Sequence, residues 1–250
     1  MNIFIVYAHP EPQSFNGAMR DTAAEVLTKA GHAVRVSDLA AMEFKAVSDA
    51  NDFPRRADPE RLVFSVEQRA AFESGSTSPD IAEEHEKIIW ADHIIFQFPM
   101  WYYGLPAILK GWFDRVLSEG FAHAPPRWFD NGPMAGKRTM LSLTTNGKPE
   151  GYAKDGRHGA MELLVWPIHN ALRFCGFDVL PPFVAYDVVR GDGARRRAIL
   201  SAYSARLRGL ARDEPLAFHG LDDYDRTGRL IAGVEPRTTA QRPGLDKTRR

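Results

Sequence analysis

The chain has 250 residues, of which 44% are hydrophobic, with 32 Lys plus Arg against 32 Asp plus Glu. That apolar content supports a large core and excludes a wholly disordered chain, and the balanced charge leaves no footprint for nucleic acid or an anionic membrane. One cysteine, Cys175, excludes an intramolecular disulfide and fits a reducing cytoplasm.

The first ten residues, MNIFIVYAHP, carry no basic segment and no small-residue cleavage site, and they read as a strand. Ile3 to Ala8 is apolar without alternation, the pattern of a parallel strand covered on both faces. A polar loop, HPEPQSFN, follows. Ser14 is placed to cap a helix whose apolar or small residues recur at Phe15, Ala18, Met19, Thr22, Ala23, Val26 and Leu27, up to Gly31. HAVRVSDL is the second strand. Asp49 to Thr77 is charged and irregular, with one short helix expected near Ser65 to Glu73. Ser78 and Pro79 then open a helix with acidic residues in its first turns.

Asp92 to Phe98 is the third strand, and Leu105 to Leu117 a helix. RTMLSLTT is the fourth strand. Gly159 to Phe174 reads as a helix interrupted by Pro167. FDVLPPFVAYD holds the fifth strand and Ala194 to Ala211 a final helix. No run is long and apolar enough for a bilayer span, so no membrane insertion is expected. Strand and helix alternate five times, which predicts a doubly wound α/β fold on a five-stranded parallel sheet with helices on both faces. A domain over 1–212 and a C-terminal extension over 213–250 are expected. Thr238 to Arg250 reads as a solvated polar tail.

In such a sheet ligands bind beyond the carboxyl ends of the strands. Three segments leave those ends. AHPEPQSFN offers a helix N-terminus with His9, Ser14 and Asn16, suited to phosphate or simply a capped helix. PMWYYG sets Trp101, Tyr102 and Tyr103 on a backbone bent by Gly104 and Pro106. The rings suit a flat ligand, core packing or a dimer interface. TTNGKPEGYAKDGRH brings Thr144, Thr145, Asn146, Gly147, Tyr152 and His158. A histidine titrating near neutrality beside a tyrosine can handle protons. No metal site is expected.

The words AHPEPQSFNGAM, FQFPMWYYGLPAILKGWFDRV, the TTNG segment with its Tyr and His, and WPIHNALRFCGF resemble, in order and spacing, the NAD(P)H:quinone oxidoreductases of the animal (DT-diaphorase) type. The resemblance runs from about Ile3 to Tyr203. It implies a flavodoxin-like fold, a tightly bound FAD, NADH or NADPH as co-substrate, a quinone as acceptor and a homodimer with sites at its interface. Carried over, His9, Ser14, Phe15 and Asn16 would surround the FAD diphosphate. Pro99, Met100, Trp101, Tyr102 and Tyr103 would line the isoalloxazine, and Thr144, Thr145, Asn146 and Gly147 would bond its polar edge. Tyr152 and His158 would be the catalytic pair. His123 and Phe174 would belong to the substrate pocket, Phe174 from the partner chain. The chain departs from the family at Asn146, where a glycine pair is usual, at Met100 and Trp101, and at His123 and Pro125, where the family has tyrosines. The rival expectation is a flavin-bearing regulatory subunit of a membrane potassium-efflux system.

Overall fold

The computed structural model describes residues 1–237; the expected polar tail from Thr238 lies outside the described residues. Six parallel strands form the sheet: β1 (Asn2–Tyr7), β2 (Ala33–Asp38), β3 (His93–Pro99), β4 (Arg138–Thr145), β5 (Asp178–Val179) and β6 (Phe183–Tyr186). Their order is β2-β1-β3-β4-β5, with β6 also on β4. This is the flavodoxin-like order, α/β and doubly wound. The expected fifth strand is therefore two short ones. Val179 faces Thr139 and Phe183 faces Ser142 across β4. Pro181 and Pro182 lie between them and have no N–H to give the ladder, an interruption tolerated at a sheet edge.

The unalternating strand sequences follow from burial on two faces. Phe4, Val6, Ile94, Phe96, Leu141 and Leu143 point to one core, against α3 (Pro79–Trp90), α4 (Ala107–Val116) and α5 (Met161–Phe174). Ile3, Ile5, Ile95 and Met140 point to the other, against α1 (Phe15–Lys29) and α6 (Gly193–Gly209). All seven residues of β3 are buried. Each fully buried Ile or Phe contributes roughly 1.5–3 kcal/mol by leaving water.

The irregular excursion before α3 is organised by one carboxylate. Glu67, buried on α2 (Phe64–Glu73), accepts from the backbone N–H of Ala57 (2.7 Å) and Asp58 (3.1 Å) and from Arg56 Nε (3.0 Å). Ser78 precedes α3 as expected, but its hydroxyl donates to Asp80 (2.7 Å) and gives no side-chain cap. α5 runs unbroken across Pro167, losing the bond that its absent N–H would have donated.

The segment after Asp213 lies against the end of β5. Leu216 N donates to Val179 O (2.8 Å), and Arg173 places its guanidinium between the rings of Phe129 and Phe218. Cys175 is buried at the end of α5, and burial pushes its thiol up to about 12. No helix among the described residues is long and apolar enough to cross a membrane.

Three histidines are held neutral by burial: His93 is pushed down to about 3, and His85 and His169 to about 4. In the unfolded chain each titrates near its ordinary value of 6.5, so between pH 6.5 and about 4 the unfolded state binds more protons. Stability is full above pH 6.5 and falls as pH drops through that window, by up to about 1.4 kcal/mol per unit for each histidine. Denaturant midpoints taken from pH 7 to pH 4.5 should fall steeply. His93→Leu, which deletes one titrating group, should make the profile shallower; an unchanged slope refutes this origin.

Candidate functional site

The sheet order reverses direction between β1 and β3, and the site sits at that switch. After β1 the loop of His9 to Gln13 folds back on α1. Ser14 Oγ accepts from Gly17 N (3.1 Å), the expected N-cap. A Cβ on Gly17 would lie 2.0 Å from the Pro12 carbonyl oxygen, so only glycine lets the loop close on the helix. The N–H groups of Phe15 and Asn16 head the helix and have no partner within it. Glu11 N donates to His9 Nδ1 (3.0 Å). The Asn16 side chain is buried. Its Nδ2 donates to Thr144 Oγ1 (2.8 Å), and its Oδ1 accepts from Gln97 Nε2 (2.8 Å).

After β3 the chain makes a two-residue turn. Trp101 and Gly104 exchange backbone hydrogen bonds of 3.2 and 3.0 Å, with Tyr102 and Tyr103 between them at φ 47° and 63°. Two left-handed residues in succession make a type I′ turn, normally built from Asn and Gly. Non-glycine residues there cost of order 1–3 kcal/mol each. The strain presents the rings: Tyr102 is fully exposed, and Trp101 and Tyr103 are 45% and 50% exposed.

After β4 the loop from Asn146 to Gly159 is built on glycines. A Cβ on Gly147 would sit 2.6 Å from the Tyr152 ring, and one on Gly151 would sit 2.9 Å from His158 Cδ2. Gly147 thus makes room for Tyr152. Tyr152 is hydrogen-bonded through its hydroxyl to Thr145 Oγ1 and stacks on His158 with centroids 4.7 Å apart. Arg157 Nε donates to His158 Nε2 (3.3 Å), and His158 Nδ1 and the Tyr103 hydroxyl share a hydrogen bond of 3.0 Å.

Two cavities open along these ends and meet at Asn146. One, of about 810 Å³, is lined by Met100, Tyr102, Tyr103, Thr145, Gly147, Tyr152 and His158. The other, of about 580 Å³, is lined by His9, Ser14, Phe15, Asn16, Pro99, Trp101 and Thr144. The structure thus gathers the residues singled out from the three segments into one two-part cleft. It does not bring His123 or Phe174 there. Those rings pack on each other (5.0 Å), Phe174 also against Trp128 and Phe129, and burial lowers the His123 pKa. Sequence reasoning missed Arg196, which lines the smaller cavity and donates to the carbonyls of Val188 (3.2 Å) and Val189 (3.3 Å). It also missed Arg157 and Arg190 at the larger one. Arg190 and Arg196 follow the carboxyl end of β6, which borders the cleft just as the ends of β1, β3 and β4 do.

The smaller cavity carries the cation Arg196 and no carboxylate among its described lining, which suits an anion beside a helix N-terminus. The strained turn supplies a test of its own. Tyr102→Asn places a residue that tolerates left-handed backbone at φ 47°. It should raise stability by about 1 kcal/mol in denaturant unfolding while weakening ligand retention in the cleft. Equal or lower stability would show that the turn is not strained.

Residues 1–209 match the family described as having the flavodoxin-like fold. The ribosyldihydronicotinamide dehydrogenase [quinone] of Mus musculus is 41% identical over 216 residues, covering 86% of this chain and 94% of that one. The NAD(P)H dehydrogenase [quinone] 1 of Rattus norvegicus is 43% identical over 216 residues, covering 86% and 79%. A crystal structure from Klebsiella pneumoniae, described as a quinone reductase, superposes with a TM-score of 0.88 at 38% identity over 98% of each chain. With its sheet order, its cleft and this breadth of likeness, the chain belongs to the flavodoxin-like family, among the NAD(P)H:quinone oxidoreductases.

Proposed function

We propose that this oxidoreductase reduces quinones by two electrons at the expense of NADH or NADPH, through a bound FAD. The observation that carries the reading is the two-part cleft itself. Exposed rings of a strained turn face Thr145, Tyr152 and His158 across the larger part. A helix start and Arg196 line the smaller. The donor set fits FAD. Ser14 to Asn16 and Arg196 would hold the diphosphate, Pro99 to Tyr103 would flank the isoalloxazine, and Thr144 to Gly147 with Tyr152 would meet its polar edge. FMN, with one phosphate and no adenosine, would leave part of such a cleft unused.

FAD held by these residues would supply a ring able to carry hydride between a reduced nicotinamide and a quinone. The chain's own residues do the rest. Tyr102, Tyr103 and Met100 wall the larger cavity, so donor and acceptor stack there in turn, which is a ping-pong scheme. The walls fix orientation and displace water. Hydride alone does not make a hydroquinone; a proton must follow. His158, whose Nδ1 shares a hydrogen bond with the Tyr103 hydroxyl, would supply it, with the Tyr152 hydroxyl as a second source. Both would strengthen their hydrogen bonds as negative charge develops beside them, which would lower the barrier.

His123 and Phe174, half-buried in an aromatic cluster away from the cleft, would serve a substrate pocket only across a homodimer interface. The expected cytoplasmic setting accords with the buried free thiol.

Chromatography of heat-released cofactor should give FAD. Initial rates at several fixed quinone concentrations should give parallel double-reciprocal lines. FMN in the first assay, or intersecting lines in the second, would overturn that part of the reading. A regulator that only carried flavin would retain the cofactor without steady turnover.

His158→Gln and Tyr152→Phe should each slow flavin reduction by roughly 10- to 1000-fold. FAD content should hardly change, since the diphosphate contacts lie in the other cavity. Because the two rings stack, the double variant should lose less than the product of the single effects. Stopped-flow bleaching reads this step alone. Wild-type rates at full occupancy in both variants would remove the pair from the mechanism.

A further inference from the structure

Tyr103, Tyr152 and His158 line the larger cavity, and each can carry a transferable proton. Two of them are engaged inside the chain. Tyr152 is buried, and its hydroxyl is bonded to Thr145 Oγ1. His158 has a partner on each ring nitrogen, Tyr103 at Nδ1 (3.0 Å) and Arg157 at Nε2 (3.3 Å), while the Tyr152 ring stacks on its face. Tyr103 differs. It is 50% exposed, and among the described residues its hydroxyl has one partner, His158.

A phenol hydroxyl can accept a hydrogen bond and still donate one. Tyr103 can therefore take a bond from Nδ1 and turn its own O–H toward the cavity. A quinone that has received hydride is the conjugate base of a phenol. A tyrosine hydroxyl is matched to it as an acid, which favours efficient proton transfer. The backbone gives a second, independent sign. Tyr103 stands at φ 63° in the tight turn, a position that Asn or Gly fills at less cost. Strain of this kind persists where a position is used.

We propose that Tyr103 is a catalytic residue, the group that hands the proton to the acceptor, with His158 behind it as the reserve. The proposal rests on the quinone-reductase reading and deepens it. As the acceptor that has taken hydride draws a proton, the Tyr103 O–H bond breaks and an O–H bond forms on the hydroquinone. The Tyr103 oxygen takes the Nδ1 proton of His158 in the same movement, and water reprotonates the imidazole afterwards. No electron moves in these steps. One proton leaves the solvent and one arrives on the hydroquinone. Arg157 and the stacked Tyr152 ring keep Nδ1 aimed at Tyr103.

The test uses the FAD-loaded full chain and Tyr103→Phe, which keeps the ring, the wall and the strained backbone. Protein reduced by NADH or NADPH is mixed by stopped flow with menadione, whose reduction needs protons, or with ferricyanide, which takes electrons only. A positioned proton donor contributes roughly 10²–10⁴-fold, and water replaces part of that at a half-exposed position. Reoxidation by menadione should therefore slow about 10- to 100-fold in the variant, and reoxidation by ferricyanide less than about twofold. Because the two groups act in series, Tyr103→Phe combined with His158→Gln should lose less than the product of the single effects. A readout free of turnover is the ¹⁵N spectrum of the oxidised, loaded protein labelled at histidine. The His158 Nδ1 resonance, identified by its loss in His158→Gln, should move in Tyr103→Phe. Equal slowing with both acceptors would make Tyr103 a wall and nothing more, and would overturn the proposal. So would full speed with menadione. An unmoved Nδ1 resonance would remove the link to His158, and the relay with it. If the loaded wild type reduces no quinone with either nicotinamide, the quinone-reductase reading fails first and the proposal falls with it.

Discussion

One buried side chain ties the cleft together. From the first turn of α1, Asn16 accepts a hydrogen bond from Gln97 on β3 and donates one to Thr144 on β4. Each of the three segments that carry the site therefore starts from a point fixed relative to the other two. Removing any member would strand buried polar atoms, at a cost of about 1–3 kcal/mol for each. The arrangement also explains a polar interruption in otherwise apolar strands. Gln97 sits in a fully buried β3, and its Nε2 donates to Asn16, which reaches in from α1.

Upon that anchored base the chain places two kinds of loop. The turn after β3 is strained, with two tyrosines in backbone conformations that suit Asn and Gly. The loop after β4 is relaxed, with glycines wherever a ring needs the space. Gly147 admits Tyr152 and Gly151 admits His158. The two meet at the hydrogen bond between Tyr103 and His158. The strained turn on one wall thus touches the imidazole on the other. A chain selected for stability alone would not keep tyrosines at these two positions.

Much of this was legible in the sequence. Unalternating apolar strands, helical spacing and the cap at Ser14 gave the layers, because burial on both faces leaves a plain pattern. The β4 limits, Arg138 to Thr145, agree with the reading RTMLSLTT. The split of the last strand was missed because Pro181 and Pro182 look like a brief interruption until the register opposite β4 is known. Pro167 misled in the other direction: a single missing N–H did not end an otherwise well-packed helix. In the cleft, rings and small polar residues stood out by composition, whereas Arg190 and Arg196 follow the last strand, outside the three segments singled out. His123 and Phe174 came from a family likeness, and one chain folds them into a cluster of their own. Gly147 was named only with the polar groups of its loop, and what requires a glycine there is the ring of Tyr152.

Cys175 lies at the end of α5, under the backbone of Gly132, which approaches so closely that a Cβ there would meet the Cys175 carbonyl at 2.3 Å. Its thiol is pushed up to about 12. At neutral pH the group is then held as the thiol, and the thiolate is the form that attacks electrophiles. Quinones are electrophilic carbon acceptors that arylate exposed thiolates. A protein proposed to hold them in an open cleft, turnover after turnover, keeps its one thiol buried. Burial at the end of α5 thus withholds that thiol from arylation.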